Sequence, residues 1–309
     1  MKSTALILSI LVLSSFGAGA QAYVDIKGEV KTSYTTGVGF SGERLSLRMN
    51  GAFSDKFSYA VYHNFQKPIT KSSLFNATDW AYVEWQPTEH WSFCAGKQMM
   101  YVGGIEYDHR TVDIVYASDW WNNAAIFKFG VTGKFHYNEG RSVVAFEVSE
   151  SPLGSGTDIG LNLYWNPGTI GHYTPIFSTN LFQFGKGEFQ HVVALGNKIG
   201  LEPVTFEFDL IHSADIHDYN LFKDFTVIGL IRWDITEKLS AFTKGIYEKV
   251  PEHSRYSPIA GITSYKAGGG LEYSPISAVR FHAVFYRYSE KNILTLGVCW
   301  FPHIYCNKK

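Results

Sequence analysis

Residues 43–65 read ERLSLRMNGAFSDKFSYAVYHNF. Leu45, Leu47, Met49 and Phe53 share one parity and Arg44, Ser46, Arg48 and Asn50 the other, which is the period of a strand rather than a helix. The hydrophilic break SDK separates this run from a second one. Alternation gives two unlike faces without saying which solvent each face meets. What Arg44 and Arg48 face is decided by the rest of the chain.

The alternation recurs to the far end. Candidate strands lie at 26–35, 43–53, 57–66, 77–86, 91–100, 125–137, 142–150, 157–166, 174–184, 188–200, 203–213, 224–235, 238–249, 265–274, 278–289 and 292–301. These are about sixteen strands of roughly ten residues, the length a tilted strand needs to cross a bilayer; strands of soluble folds are nearer five or six. The connections fall into two classes. SDKF, PTEH, NEGR, NPGT, EPV, TEK and SPIS are tight and rich in turn formers. Between them lie longer segments at 67–76, 100–124, 151–156, 214–223 and 250–264, although GKGE at 185 and SEKN at 289 are short and leave the count open by two. Short turns at one end and long loops at the other mark an outer-membrane barrel.

The chain opens MKSTALILSILVLSSFGAGAQA, with Lys2 before a short apolar run and an A-x-A site at Ala20-Gln21-Ala22. This predicts a signal peptide over 1–22 and one barrel domain over 23–309. Beyond Ala22 no window approaches the roughly 18 apolar residues of a membrane helix. A net charge of -1 argues against a nucleic-acid partner, and 16% aromatic residues suit a protein that lines lipid interfaces with rings. Cys94, Cys299 and Cys306 are odd in number and scattered, which argues against a disulfide scaffold. The fold class that follows is all-β, a transmembrane antiparallel barrel of about 16 strands with membrane lipid as its surroundings. The face bearing Leu45, Leu47 and Met49 then meets lipid, and Arg44 and Arg48 enter the lumen. The same parity sends Phe127, Phe129, Val131 and Phe135 outward with Lys128, Lys134 and His136 inward. It sends Ile159, Leu161, Leu163 and Trp165 outward with Asn162, Tyr164 and Asn166 inward.

RLSLRMNGAFSDKFSYAVYHNF, NATDWAYVEWQP and HWSFCAGKQMMYVGGIEYD resemble the phosphate-selective porin O and P family in its Bacteroides-like form, the most specific element being AGKQ leading into GGIEYD. The similarity runs through WWNNAAIFKFGV and YSPISAVRFHAV to the last strand. The resemblance implies a sixteen-strand, trimeric porin of the Gram-negative outer membrane whose third long loop folds inward. Phosphate-selective members carry an arginine ladder and a lysine cluster. Here segment 100–124 holds Arg110, no lysine, and Glu106, Asp108, Asp113 and Asp119. The inward set mixes basic residues (Lys27, Lys31, Arg44, Arg48, Lys128, Lys134, Arg232, Lys244, Lys266, Arg280) with acidic ones (Glu29, Glu84, Glu147, Glu207, Asp209, Asp234, Glu248, Glu272). Mixed rings of charge set a transverse field with weak selectivity.

The expected function is therefore passive diffusion of small hydrophilic solutes or ions, with no cofactor. The sign of the ion preference stays open, and an anion- or phosphate-selective channel is the alternative. The expected constriction is Glu106, Asp108, Arg110 and Asp113, because a 25-residue connection in a compact fold is usually functional or disordered. The Gly103-Gly104 pair permits its inward bend, and its carboxylates are expected to face Arg44, Arg48 and Lys128. The remaining expected pore-wall residues are Lys134, Arg232 and Arg280. A barrel enzyme would need a serine and histidine or paired carboxylates at one rim, and no GxSxG occurs. A receptor barrel would need a plug, for which Tyr23 stands too close to the first strand. A soluble exported sandwich is the last rival, separable by detergent-free solubility. His212, Asp215, His217 and Asp218 match no metal-binding spacing, so a solvated loop is the expectation there. The tryptophans are expected in an interface girdle, with Trp120 and Trp121 available to stack on a solute.

Overall fold

Sixteen antiparallel strands close on themselves in a computed structural model that describes residues 23–67, 75–154, 156–215, 224–250, 260–261 and 263–307. The proposed signal peptide at 1–22 lies outside the described residues. The strands are β1 (Tyr23–Thr35), β2 (Gly39–Ser54), β3 (Phe57–Asn64), β4 (Thr78–Trp85), β5 (Trp91–Met99), β6 (Phe127–Tyr137), β7 (Ser142–Glu150), β8 (Ile159–Asn166), β9 (Tyr173–Gly185), β10 (Glu188–Leu201), β11 (Val204–Asp215), β12 (Phe225–Asp234), β13 (Leu239–Lys249), β14 (Thr263–Ile276), β15 (Val279–Tyr288) and β16 (Lys291–Trp300). Each pairs with its neighbour in sequence, and β1 pairs with both β2 and β16, so the sheet has no free edge. Closure is what lets a sheet enter lipid, because every backbone polar group finds a partner within the wall. The short connections GKGE and SEKN are true hairpins between β9 and β10 and between β15 and β16, which preserves the sixteen-strand count.

The segment after Trp300 stays in the sheet. His303–Asn307 continues β16 beyond Phe301 and Pro302, pairing with Tyr23–Lys27 of β1 in the register already set by Val30 opposite Trp300. Pro302 keeps its carbonyl in the ladder by accepting the Gly28 N–H at 2.8 Å. Phe301, which ends the alternating run in the sequence, belongs to the inward parity, and its ring lies under the guanidinium groups of Arg110 and Arg280 at 5.2 and 5.5 Å. Trp300 instead takes the exposed outer position.

The outer wall is apolar where membrane must lie. Leu45, Phe129, Val131, Phe135, Ile159, Leu163 and Trp165 are all exposed, as their parity requires. Met49 departs from the open lipid-facing position that its parity predicts: it is buried in a cluster with Val24 and Tyr59. Trp85, Trp91, Trp165, Trp233 and Trp300 are exposed at the short-turn end of the barrel, forming an aromatic belt there. Trp80 lies instead on the inner wall under Arg48, 4.7 Å from guanidinium carbon to ring centroid. The three cysteines are free thiols, Cys94 and Cys299 buried and Cys306 exposed.

Candidate pore constriction

The connection between β5 and β6 enters the barrel and packs on its inner wall. It carries two short helices, α1 (Ile105–Asp108) and α2 (Asp119–Asn123), with a 3-10 turn at Thr111–Asp113 between them. Its turn inward is made at Gly104, whose φ of 113° and ψ of 145° suit glycine alone. The wall makes room at Gly196 on β10. A Cβ there would stand 2.7 Å from Gly104 Cα and from Ile105 N.

Wall carboxylates then receive the loop backbone. Asp209 on β11 accepts the Ile105 and Glu106 N–H groups at 2.7 and 2.8 Å, and Glu248 on β13 accepts those of Asp119 and Trp120 at 2.7 and 2.9 Å. These are the unpaired N–H groups at the starts of α1 and α2, and hydrogen bonds to an ionised acceptor contribute roughly 1.5–3 kcal/mol each. At the loop's entry, Glu147 on β7 accepts the Tyr101 N–H at 3.0 Å, and the Asn180 amide donates to the Tyr101 carbonyl at 2.8 Å.

Cations complete the docking. Lys244 reaches Glu106 Oε1 at 2.7 Å and the Tyr116 carbonyl at 2.9 Å, while Glu106 also accepts from Ser118 Oγ at 2.5 Å. Lys266 donates at 2.7 Å to both Asp119 Oδ1 and the Ala117 carbonyl. Arg280 pairs with Asp113 at 2.8 Å and donates to the Val112 carbonyl at 3.0 Å. Burial raises the Asp113 carboxyl, but bonds to Arg110 and the charge of Arg280 outweigh it and hold it below the usual range. Asp119 is likewise held low against its burial, chiefly by Lys266 and Ser264. His109 Nε2 lies 2.7 Å from Glu207; burial would lower its imidazole, but the carboxylate's hydrogen bond and charge raise it.

Apolar packing backs these bonds. Tyr116 lies on Ile228, Ile246 and Val284 of the inner wall, and Trp120, Tyr107 and Val102 pack with Phe182, Val192 and Ile211. Trp120 is therefore sealed in the loop's core, and Trp121 packs on the Tyr107 ring at 4.5 Å, so neither forms the open stacking platform that the sequence left available.

Of the expected constriction residues, Glu106 is an internal anchor, Asp108 is exposed at the end of α1, and Arg110 and Asp113 form an ion pair facing the lumen at 2.7 Å. The loop's carboxylates meet Lys244, Lys266 and Arg280 rather than Arg44, Arg48 and Lys128. The reason is direction: the loop crosses to β9–β15, whereas Arg44 and Arg48 lie on β2. Arg44 is buried against Glu29 at 3.1 Å and against Tyr62. Arg48 covers Trp80 and donates to Asn50 at 3.3 Å. Lys128 is half-buried opposite Gln98, Lys134 pairs with Glu84 at 2.9 Å, and Arg232 pairs with Glu272 at 2.7 Å.

Asp209 and Glu248 stood in the inward set without a role, and a signal for one existed. Their neighbours across the sheet are Gly196 and Ile228, and Thr226 and Ser264. An inward carboxylate with no cation beside it on its own rung needs donors from elsewhere. Of the segment His212–Asp218, read from sequence as a solvated loop, His212 is instead buried on β11 with its Nδ1 2.7 Å from the Asp224 carbonyl, and His217 and Asp218 fall outside the described residues.

With this geometry in view, the model of the family described as phosphate-selective porin O and P matches residues 16–188. No curated protein matches the sequence. Among solved structures, the chain resembles an anion-selective porin from Comamonas acidovorans at TM-score 0.63 and 8% identity, covering 92% of this chain and 100% of that one. It also resembles the trimer form of OmpT, an outer membrane protein of Vibrio cholerae, at TM-score 0.61 and 11% identity, with 92% and 100% coverage. Salmonella typhi OmpF in complex with daunomycin matches at 0.61 and 10%, with 90% and 97% coverage. At these identities the structural likenesses establish the fold.

Proposed function

This chain belongs to the phosphate-selective porin O and P family, and from that premise we propose that its outer-membrane diffusion channel prefers small anions at a waist made by the inward loop. Passive passage of small hydrophilic solutes through the outer membrane is the family's property and needs no cofactor. The preference rests on one observation, the unequal exposure of partners within three ion pairs of the inward loop and strands β10–β14. Arg110 is 55% exposed against 22% for Asp113, Lys198 43% against 9% for Glu207, and Arg232 38% against 4% for Glu272. In these three pairs the carboxylates are withdrawn while the cationic tips meet the water; the pairs of Lys134 with Glu84 and Lys31 with Glu43, away from them on the wall, are arranged the other way. A passing ion therefore meets more positive than negative charge, and Asp234, 56% exposed beside Arg232, moderates the effect. The channel is accordingly a porin of modest anion preference rather than a dedicated phosphate site.

In this reading Arg110 and Asp113 edge the waist with Asp108, Glu106 holds the loop from behind, and Arg48, Lys128, Lys134, Arg232 and Arg280 supply the pore-wall field. Arg44 supports the wall. The mature chain is a single domain from residue 23 after loss of 1–22, of the Bacteroides type, assembled as a homotrimer. Planar-bilayer recording of purified protein in a potassium chloride gradient tests the reading: the reversal potential should carry the sign of chloride preference. Cation preference would overturn it.

A further inference from the structure

Beneath the inward loop, on the side of the short turns, the lumen holds a bay of about 420 Å³ between the loop and strands β10–β15. Its lining is unusual for an aqueous channel. Leu230 and Phe242 occupy inward positions of β12 and β13, where parity places polar residues on most strands, and the loop contributes Ile114 and Val115 across from them. Tyr116 covers the neighbouring Ile228 and Ile246, with Phe242 and Val115 packed at the edge of that cluster, while Leu230 lies outside it; the last three are half-buried at the bay. Leu230 stands between Glu207 and Lys244 on its rung, and Arg232 stands opposite Phe242. An apolar patch is thus set among charged groups in water-filled space. Such a patch gains free energy by covering itself with another apolar body.

The charged rim says what else that body carries. Arg110, Arg232 and Lys198 present exposed cationic ends to the bay, while Glu272 and Glu207 are nearly sealed behind them; Asp234 beside Arg232 is the one open carboxylate on the described rim, with Asp113 partly covered by Arg110 and Arg280. Arg280 joins them with its guanidinium between Asp113 and Glu272.

We propose that this bay is a subsite for amphiphilic organic anions, in which an apolar body lies on Leu230, Phe242 and Val115 and a carboxylate faces Arg232 and Arg110. The assignment rests on the anion-preferring channel proposed above and narrows it from small anions in general to those with a compact apolar portion. Inorganic anions pass the same cations without using the patch. A neutral apolar molecule uses the patch without the cations.

Benzoate, acetate and benzyl alcohol separate these contributions as blockers of chloride current through the purified channel in a planar bilayer. Benzoate should reach half-block at a concentration about tenfold below that of acetate, in line with the apolar area it adds, and benzyl alcohol should not block. Leu230→Asn, or Val115→Asn on the opposite side should the first variant fail to insert, should bring the benzoate value to that of acetate. The reversal potential is read independently. A chloride-preferring channel in which benzoate and acetate block alike overturns the subsite and leaves the anion reading standing. A channel without chloride preference in which benzoate still outblocks acetate overturns the anion reading and leaves the subsite. Block by benzyl alcohol equal to that by benzoate, or an unchanged benzoate-to-acetate ratio in the inserted variants, places the binding elsewhere and overturns the proposal.

Discussion

The two halves of the lumen wall use the same residue types differently. On β2–β6 the charges are satisfied along the wall: Arg44 by Glu29 and Tyr62, Lys134 by Glu84, and Glu84 also by Ser92 at 2.7 Å. On β9–β15 they reach off the wall to a loop more than 80 residues away in sequence, with Asp209 and Glu248 accepting its N–H groups and Lys244, Lys266 and Arg280 binding its carbonyls and carboxylates. Parity sends a side chain inward in both halves. Whether it becomes wall or anchor depends on whether its rung already supplies a partner.

Removing the loop should erase the contrast, and that is the largest effect expected. Deleting Asp108 to Ser118 leaves a sixteen-strand lumen with little to fill it, and single-channel conductance should at least roughly double. A deletion variant that inserts and conducts like the parent would mean that the loop does not limit flow. Lys244→Met strikes the anchoring half alone. It leaves Glu106 buried without its cation, a loss on the order of 3–5 kcal/mol, and should lower the thermal midpoint and make openings noisier; an equivalent neutralisation at Lys134 should do less, because Glu84 is more open to water.

A third comparison sets the outer face against the inner. Leu47→Arg should cost roughly 2–4 kcal/mol near the bilayer midplane, while Lys128→Glu, a charge exchanged within the lumen, should cost below about 1 kcal/mol, both read by denaturant unfolding in lipid vesicles. Ser46 is a poor control for this purpose, because it is buried in the cluster of Arg44, Glu29 and Tyr62.

The pH dependence of the docked loop should be asymmetric. Asp113 and Asp119 titrate below their ordinary value when docked, so their contribution is complete above about pH 4 and is lost as pH falls through the lowered folded value. His109 is raised, so its link to Glu207 contributes fully below about pH 6.5 and fades as pH rises through the raised folded value. Conductance recorded from pH 8 to pH 3 should show a small step at the alkaline end, a plateau, and a larger rise below about pH 4. A rise already at pH 5 would contradict the lowered carboxylates. The smallest effect belongs to the plain wall: Arg48→Gln should shift the reversal potential toward cations by less than Arg110→Gln does, since Arg48 rests on Trp80 while Arg110 stands at the waist.

Period-two alternation in the sequence was enough for the barrel, its strand count and the faces of most strands, because a strand buried in lipid on one side and wet on the other cannot change register without exposing every side chain to the wrong solvent. Leu45, Val131 and Leu163 needed no further information. The break at Phe301 was less legible: a proline and a change of polarity look like an ending in sequence, yet β1 offers the partner that carries the strand on to Asn307. The long loop was recognisable as inward by its length and its Gly103-Gly104 bend, and its charged residues were identifiable by type. Which wall it meets was not. That depends on the space opened at Gly196 and on Asp209 and Glu248 standing beside rung neighbours that offer no cation, relations between strands distant in the chain that only the closed barrel brings together. Tertiary structure alone therefore turned Glu106 from a pore-lining charge into an anchor and placed Arg44 within the wall, because buried ion pairs form according to distance in space and not position in sequence.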